Sequence, residues 1–372
     1  MTPNSLLAFL SDLLPPLQSC DRLPLEEGDI VIHAPGFEDR TMAVAEAVVP
    51  SPAACAILLD YLPFSPKNRL SDVREALLAR GVEVADKHIL KYDRFEPGDF
   101  ETRLQTRLLG HGARRAVVDI STMSKLEVML VLKVCHELDL RVRVLYSEAE
   151  RYGPSQEEFE RAKENNEIHR PTLQVFSGVH GVVRVDSLAS VAMQGQPTAA
   201  LVFMSFNNAL TQVLLNTVYP SRLFLINGRP PVYSWREEAT AWIHDQVRRE
   251  WEDDNPVQAD LAGRVPMPKR AVSTLDYRET VSLLLQLYWQ LSANHRVLLA
   301  PAGSKLQAVG SYLVKALHPD IHIEYPSPEG FLPYYSSGVG PRWLLNLGKL
   351  SELLTTISEA ERREYLELPT VR

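Results

Sequence analysis

Short, almost wholly apolar runs, each closed by a turn and followed by a helical pattern, constrain this chain more than any other feature. AACAILLDYL at 53–62, ARRAVVDI at 113–120, TAALVFMSF at 198–206 and the start of HRVLLAPAGSK at 295–305 are examples. They are too short for buried helices and too uniformly apolar for strands with one wet face, so they fit strands of a parallel sheet covered on both sides. Helical patterns lie between them. SDVREALLARG at 71–81 has a serine start and a glycine stop, and DFETRLQTRLLGHG at 99–112 ends on glycine. STMSKLEVMLVLKVCHELD at 121–139 and NNALTQVLLNTV at 207–218 open on capping residues. Strands alternating with helices predict an α/β fold with mainly parallel sheets.

A length of 372 residues accommodates two or three domains. The polar stretch at 155–170 is a natural boundary. We therefore expect a first Rossmann-like unit over 1–155, beginning with a short helix, and a linker and hairpin over 156–197. A second Rossmann-like unit follows over 198–345, with a helical insert at 235–256, and then a C-terminal helix over 346–372. The hairpin is LQVFSGVHGVVRVD at 173–186, with Gly178 or Gly181 near its turn.

A net charge of −8 argues against extended, sequence-independent DNA binding, which needs a clustered basic face. The three cysteines, Cys20, Cys55 and Cys135, show no metal-ligand spacing. No metal or other cofactor is expected from sequence motifs. The N-terminus lacks a basic region and makes a poor signal peptide, and no apolar run is long enough to span a membrane. A cytoplasmic protein is expected.

The second half can be laid on the first. ISTMSKLEVMLVLKV at 120–134 meets PAGSKLQAVGSYLVK at 301–315, sharing Ser-Lys-Leu. GFEDR at 36–40 falls where SFNNA at 205–209 falls, and DFET at 99–102 where DYRE at 276–279 falls. RVRVLYSEAERY at 141–152 meets DIHIEYPSPEGF at 320–331, pairing Tyr146 with Tyr325 and Tyr152 with Phe331. The matches keep their order, so the expectation is two tandem Rossmann-like units related by internal duplication. The alternative is two unrelated domains sharing β-α grammar.

In such sheets ligands gather at the carboxyl ends of strands, where a helix N-terminus offers unpaired N–H groups and partial positive charge. Ser121, Thr122, Ser124 and Lys125 open one helix; Gly303, Ser304 and Lys305 open the other. Both turns suit a phosphate or carboxylate, although neither is a P-loop. Plain capping is the alternative for the hydroxyls, and a solvated lysine for Lys125. Arg40 can reach a phosphate, and Asn207 takes its region in the second unit. Tyr146, Tyr152 and Tyr325 can stack on a base or simply pack. Glu38, Asp39 and Asp119 are the candidate acid/base groups; for Asp119 capping of the turn is the competing role. His33 and His244 read as core or surface histidines.

The strand–DISTMSK–helix element, followed by a strand ending in tyrosine, resembles the ligand-binding element of CARF domains, the CRISPR-associated Rossmann fold. SAVED domains look like two such units fused in one chain. The first turn departs from that pattern in having Met123 in place of a glycine, and the second in beginning with Ala-Pro. The resemblance implies a composite site between the two units for a cyclic nucleotide, sensed in antiviral defence, and a protein effector as partner. Two other functions compete with this. One is an enzyme, a hydrolase or transferase acting on a nucleotide or sugar phosphate. The other is a scaffold subunit docking through Trp235, Trp242 and Trp251.

Overall fold

A computed structural model of the protein describes residues 4–168, 173–255 and 271–366. The chain forms two compact units. The first comprises Leu13–Tyr152 with Ser336–Ile357, and the second Gly153–Tyr335 with the pieces Met1–Asp12 and Ser358–Arg372. The fold is α/β with mostly parallel sheets, as the alternating pattern predicts.

In the first unit, strands β1 (Asp29–His33), β2 (Cys55–Leu62), β3 (Ile89–Asp93), β4 (Arg115–Asp119) and β5 (Arg141–Ser147) run parallel in the order β5-β4-β1-β2-β3. The second unit repeats that order with β6 (Thr198–Phe203), β7 (Arg222–Arg229), β8 (Ala271–Ser273), β9 (Arg296–Ala300) and β10 (His322–Ile323), arranged β8-β7-β6-β9-β10. This is the order of doubly wound sheets, in which the chain reverses direction beside the first strand and leaves a crevice there. Right-handed crossovers then sort the helices to two faces. Helix Ala43–Ala47 touches Leu70–Ala79, while Phe100–Gly110 touches Lys125–Glu137. The second unit does the same, pairing Asn208–Val218 with Trp235–Asp254, and Tyr277–Leu291 with Lys305–Leu317.

Three expectations are corrected. First, 173–186 is not a hairpin. Phe176–Val183 is one strand, antiparallel to Tyr325–Phe331, and Gly178 and Gly181 sit at register shifts rather than at a turn. Second, the tail is not a single helix: Arg342–Lys349 is a strand preceding helix Leu350–Glu361. Third, that strand pairs antiparallel with β5, so residues 336–349 belong with the first unit and not with the second. It covers the open edge of β5, where unpaired backbone groups would otherwise face outward. The tryptophans of helix Trp235–Asp254 pack inward. Trp235 stacks on Phe159 at 5.7 Å, Trp242 meets the same ring edge-on at 5.9 Å, and Trp251 joins the core beside β7.

Helix Lys305–Leu317 crosses Tyr277–Leu291 at Gly310, where a Cβ would lie 2.8 Å from Thr280 Cγ2 and 2.9 Å from Tyr277 O. Backbone cannot retreat as a side-chain tip can. Gly310→Ala is therefore expected to destabilise the protein by about 1–3 kcal/mol despite alanine's better helix propensity, measured as a lowered urea midpoint.

Candidate functional site

The reversal point of the first sheet lies between β1 and β4, whose last residues, His33 and Asp119, are register partners. Both are fully buried. His33 Nδ1 lies 3.0 Å from Asp119 Oδ2, ion-pair distance although off the line of a hydrogen bond. The other carboxylate oxygen, Oδ1, accepts the Ser121 N–H at 2.9 Å and the Ser121 hydroxyl. Ser121 Oγ in turn accepts the N–H of Ser147 at 2.8 Å, at the end of β5. Three strand ends are thus tied through one carboxylate, which needs such partners because an unpaired buried charge is very costly.

The network continues through the imidazole. His33 Nε2 is 3.2 Å from Thr41 Oγ1, which accepts the Gly36 N–H at 3.1 Å and lies 3.4 Å from Thr122 Oγ1. Thr122 donates to Ala34 O at 2.6 Å. With Nδ1 facing a carboxylate and Nε2 a hydroxyl, the imidazole is held as an orienting acid holds a general base. Thr41 is fully buried, whereas Thr122 is half-buried and forms the outer end of the relay.

The following helix opens on a capping box. Ser124 Oγ accepts the Glu127 N–H, and Glu127 Oε2 accepts the Ser124 N–H, each at 3.1 Å. Tyr61 donates to Glu127 and also reaches Thr122 O at 3.0 Å. Lys125 is the first helical residue and half-buried. Its ammonium makes no hydrogen bond or ion pair among the described residues. Burial pushes its pKa from 10.5 down to about 8; Arg40 pushes the same way and Glu38 opposes. It remains mainly charged at neutral pH, beside the positive end of a helix.

Beside it, Arg40 is 2 % exposed and its donors are engaged. Nε and Nη2 bind Glu38 at 2.9 and 2.8 Å; Nη1 reaches Ser147 O and the Tyr152 hydroxyl, each at 3.2 Å. The guanidinium lies over the rings of Tyr146, at 6.0 Å, and Tyr152, at 5.7 Å. Burial raises the Tyr146 hydroxyl well above its usual range. Glu38 also accepts the Ser336 hydroxyl, and Asp39 accepts the Gly338 N–H at 2.9 Å. These acids fasten the 336–338 segment to the loop after β1.

The first unit therefore gathers Glu38, Asp39, Arg40, Asp119, Ser121, Thr122, Ser124, Lys125, Tyr146 and Tyr152 at one sheet edge. Most of them have structural work there: Ser124 and Ser121 cap and tie, and Arg40 braces. The remaining expected site residues lie in the second unit. Asn207 caps its helix by accepting the Ala209 N–H at 2.7 Å and donates to Gln174 at 2.6 Å. Ser304 forms a capping box with Gln307 and donates to Thr274 O at 2.8 Å. At Gly303 a Cβ would lie 2.1 Å from Gln307 Oε1, the acceptor of that capping box, and 3.0 Å from Phe203 Cβ, so a side chain there would displace Gln307. Lys305 opens the helix half-buried, and Tyr325 is buried in a strand. The reversal point here ends on Phe203 and Ala300, so it carries no polar pair like His33 and Asp119. His244 is interior, 3.1 Å from Thr211 Oγ1, and burial lowers its pKa to about 4.

The residue patterns did not single out Thr41 or Glu127, and they read His33 as a core or surface histidine; it lies in the core. A histidine ending an otherwise apolar buried strand was the available signal for His33. No family model matches the chain, and no curated protein matches it significantly. Among the described residues no helix is long and apolar enough to cross a membrane.

Two substitutions separate the brace from the free cation. Arg40→Met strands Glu38 as a buried unpaired charge and should cost about 3–5 kcal/mol. Lys125→Met should leave stability unchanged or raise it. Because the folded pKa of Lys125 is lowered, the unfolded chain holds more protons between about pH 8 and 10.5, so this group makes stability rise with pH in that window. Chemical denaturation across that range should show the Lys125 contribution in the wild type and its loss in Lys125→Met.

Proposed function

We propose that the first unit binds a phosphate-bearing ligand, a nucleotide in particular, at the turn between β4 and helix Lys125–Glu137. The observation that carries this is Lys125: a half-buried ammonium without a hydrogen-bonding partner among the described residues, placed at the positive end of a helix. Such a charge has only the partial compensation of Glu38, itself engaged by Arg40, and is relieved further by an anion. The half-buried Thr122 hydroxyl and Tyr152 ring suit the remainder of a nucleotide, whereas Tyr146 is buried. Sensing of a cyclic nucleotide in antiviral defence, with an effector partner, is the use that the CARF and SAVED resemblance implies. The shared strand order of the two sheets and the repeated Ser-Lys turns support an internal duplication, with Lys305 as the second anion-binding position.

Thermal-shift measurements with cyclic and linear nucleotides test this. A ligand present at a hundred times its Kd stabilises by about 2.7 kcal/mol, and the shift should vanish in Lys125→Met while the fold persists. Absence of any shift with nucleotides or inorganic phosphate overturns the proposal, as does an undiminished shift in Lys125→Met.

A second function, turnover of a nucleotide or sugar phosphate, is favoured by the Asp119–His33–Thr41 relay. If the imidazole acts as a general base, His33→Gln should lower turnover by about 10²–10⁴-fold in a phosphate-release assay. Unchanged turnover in a folded variant removes the relay from the chemistry.

A further inference from the structure

The opposite edge of the first sheet holds a different set of groups. Cys55 begins β2, His88 directly precedes β3, and His111 ends helix Phe100–Gly110 as its C-cap. One donor atom from each lies within 4.8 Å of the others. Cys55 and His88 stand at the amino ends of β2 and β3, and His111 ends the helix that leads to the amino end of β4, away from the carboxyl-end turn that carries Lys125.

The cluster has the character of a metal site on several independent counts. Cys55 and His88 are buried and His111 is half-buried, so the group reaches from the interior to the surface. The His88 and His111 rings meet edge-on, with centroids 4.5 Å apart. His88 is fully buried, yet its Nε2 has no hydrogen-bond partner among the described residues. A buried, unsatisfied ring nitrogen is costly unless something binds it. Its other nitrogen, Nδ1, accepts only a long bond of 3.3 Å from the Ala85 N–H.

We propose that Cys55, His88 and His111 form a binding site for a transition-metal ion of the zinc class. One thiolate and two imidazoles are a borderline-soft donor set that suits Zn²⁺ and excludes Mg²⁺ or Ca²⁺ as the preferred ion. Metal–ligand bonds of about 2.0–2.3 Å imply donor separations of about 3.5 Å in a tetrahedron, so donors that lie within 4.8 Å of one another close by at most about 1.3 Å on binding. Ligation through His88 Nε2 moves the ring proton to Nδ1 and gives up the long bond from Ala85. The Cys55 thiol releases its proton to solvent as the metal–sulfur bond forms. Three protein ligands leave a fourth position open. His111 also lines a cleft of about 310 Å³ with Lys87, Leu90, Thr102, Arg103 and Arg107. Those cations suit an anionic molecule as the fourth ligand.

Co²⁺ is the probe. The reduced, tag-free full chain should bind one equivalent, show a thiolate-to-cobalt charge-transfer band, and lose it on addition of Zn²⁺. Cys55→Ser should abolish the band, and His111→Gln should weaken binding by more than about a hundredfold, beyond the ten- to hundredfold typical of losing an outer partner. Cys20→Ser should change neither. His111 is half-buried, so His111→Gln decides the matter alone should Cys55→Ser fail to fold. Absence of stoichiometric binding by the wild type overturns the proposal, as does binding that survives undiminished in His111→Gln.

Discussion

A carboxylate buried where the first sheet reverses direction organises everything around it. Asp119 ends β4 and faces His33 at the end of β1, and through Ser121 it fixes the end of β5. Leaving that charge without partners would cost more than most of the surrounding packing contributes. The loop after β1 must therefore bring Thr41, whose hydroxyl is held by the Gly36 N–H, to the imidazole, and the turn after β4 must bring Ser121 back toward the carboxylate. That turn delivers Ser124 to the helix start and leaves Lys125 as the next residue along.

Arg40 and Lys125 illustrate two fates of a cation at one sheet edge. Arg40 is deeply buried but satisfied: its planar fork spreads over Glu38, Ser147 and Tyr152. Lys125 is less buried but has no such partner, and its lowered pKa records the difference. A site that keeps a charge unpaired gives up stability, and such positions are where ligands act. The second unit has the same strand order and the same capped Ser-Lys start, yet its reversal point is closed by Phe203 and Ala300.

Much of the architecture was legible from residue patterns. Apolar runs such as TAALVFMSF and capped helices such as STMSKLEV announce themselves, because a strand buried on both faces admits few polar residues and a helix start needs oxygen acceptors. The capping role of Ser124, one of two alternatives, is what its neighbour Glu127 completes. Legibility failed where pairing was long-range. Phe176–Val183 carries glycines that look like a hairpin turn, but its partner is Tyr325–Phe331. Residues 346–349 read as the start of a helix, but they belong to strand Arg342–Lys349, to which β5 offers an open edge.

By itself, then, the order of residues determined the alternating elements, the parallel character of the sheets and the two Ser-Lys helix starts, because these depend on local periodicity and capping. Only tertiary structure decided that His33 meets Asp119, that Arg40 is satisfied within the interior, that Lys125 has no hydrogen-bonding partner among the described residues, and that Cys55, His88 and His111 converge. Those facts depend on which distant residues share a strand end and on how much water reaches each one. No spacing along the chain encodes either.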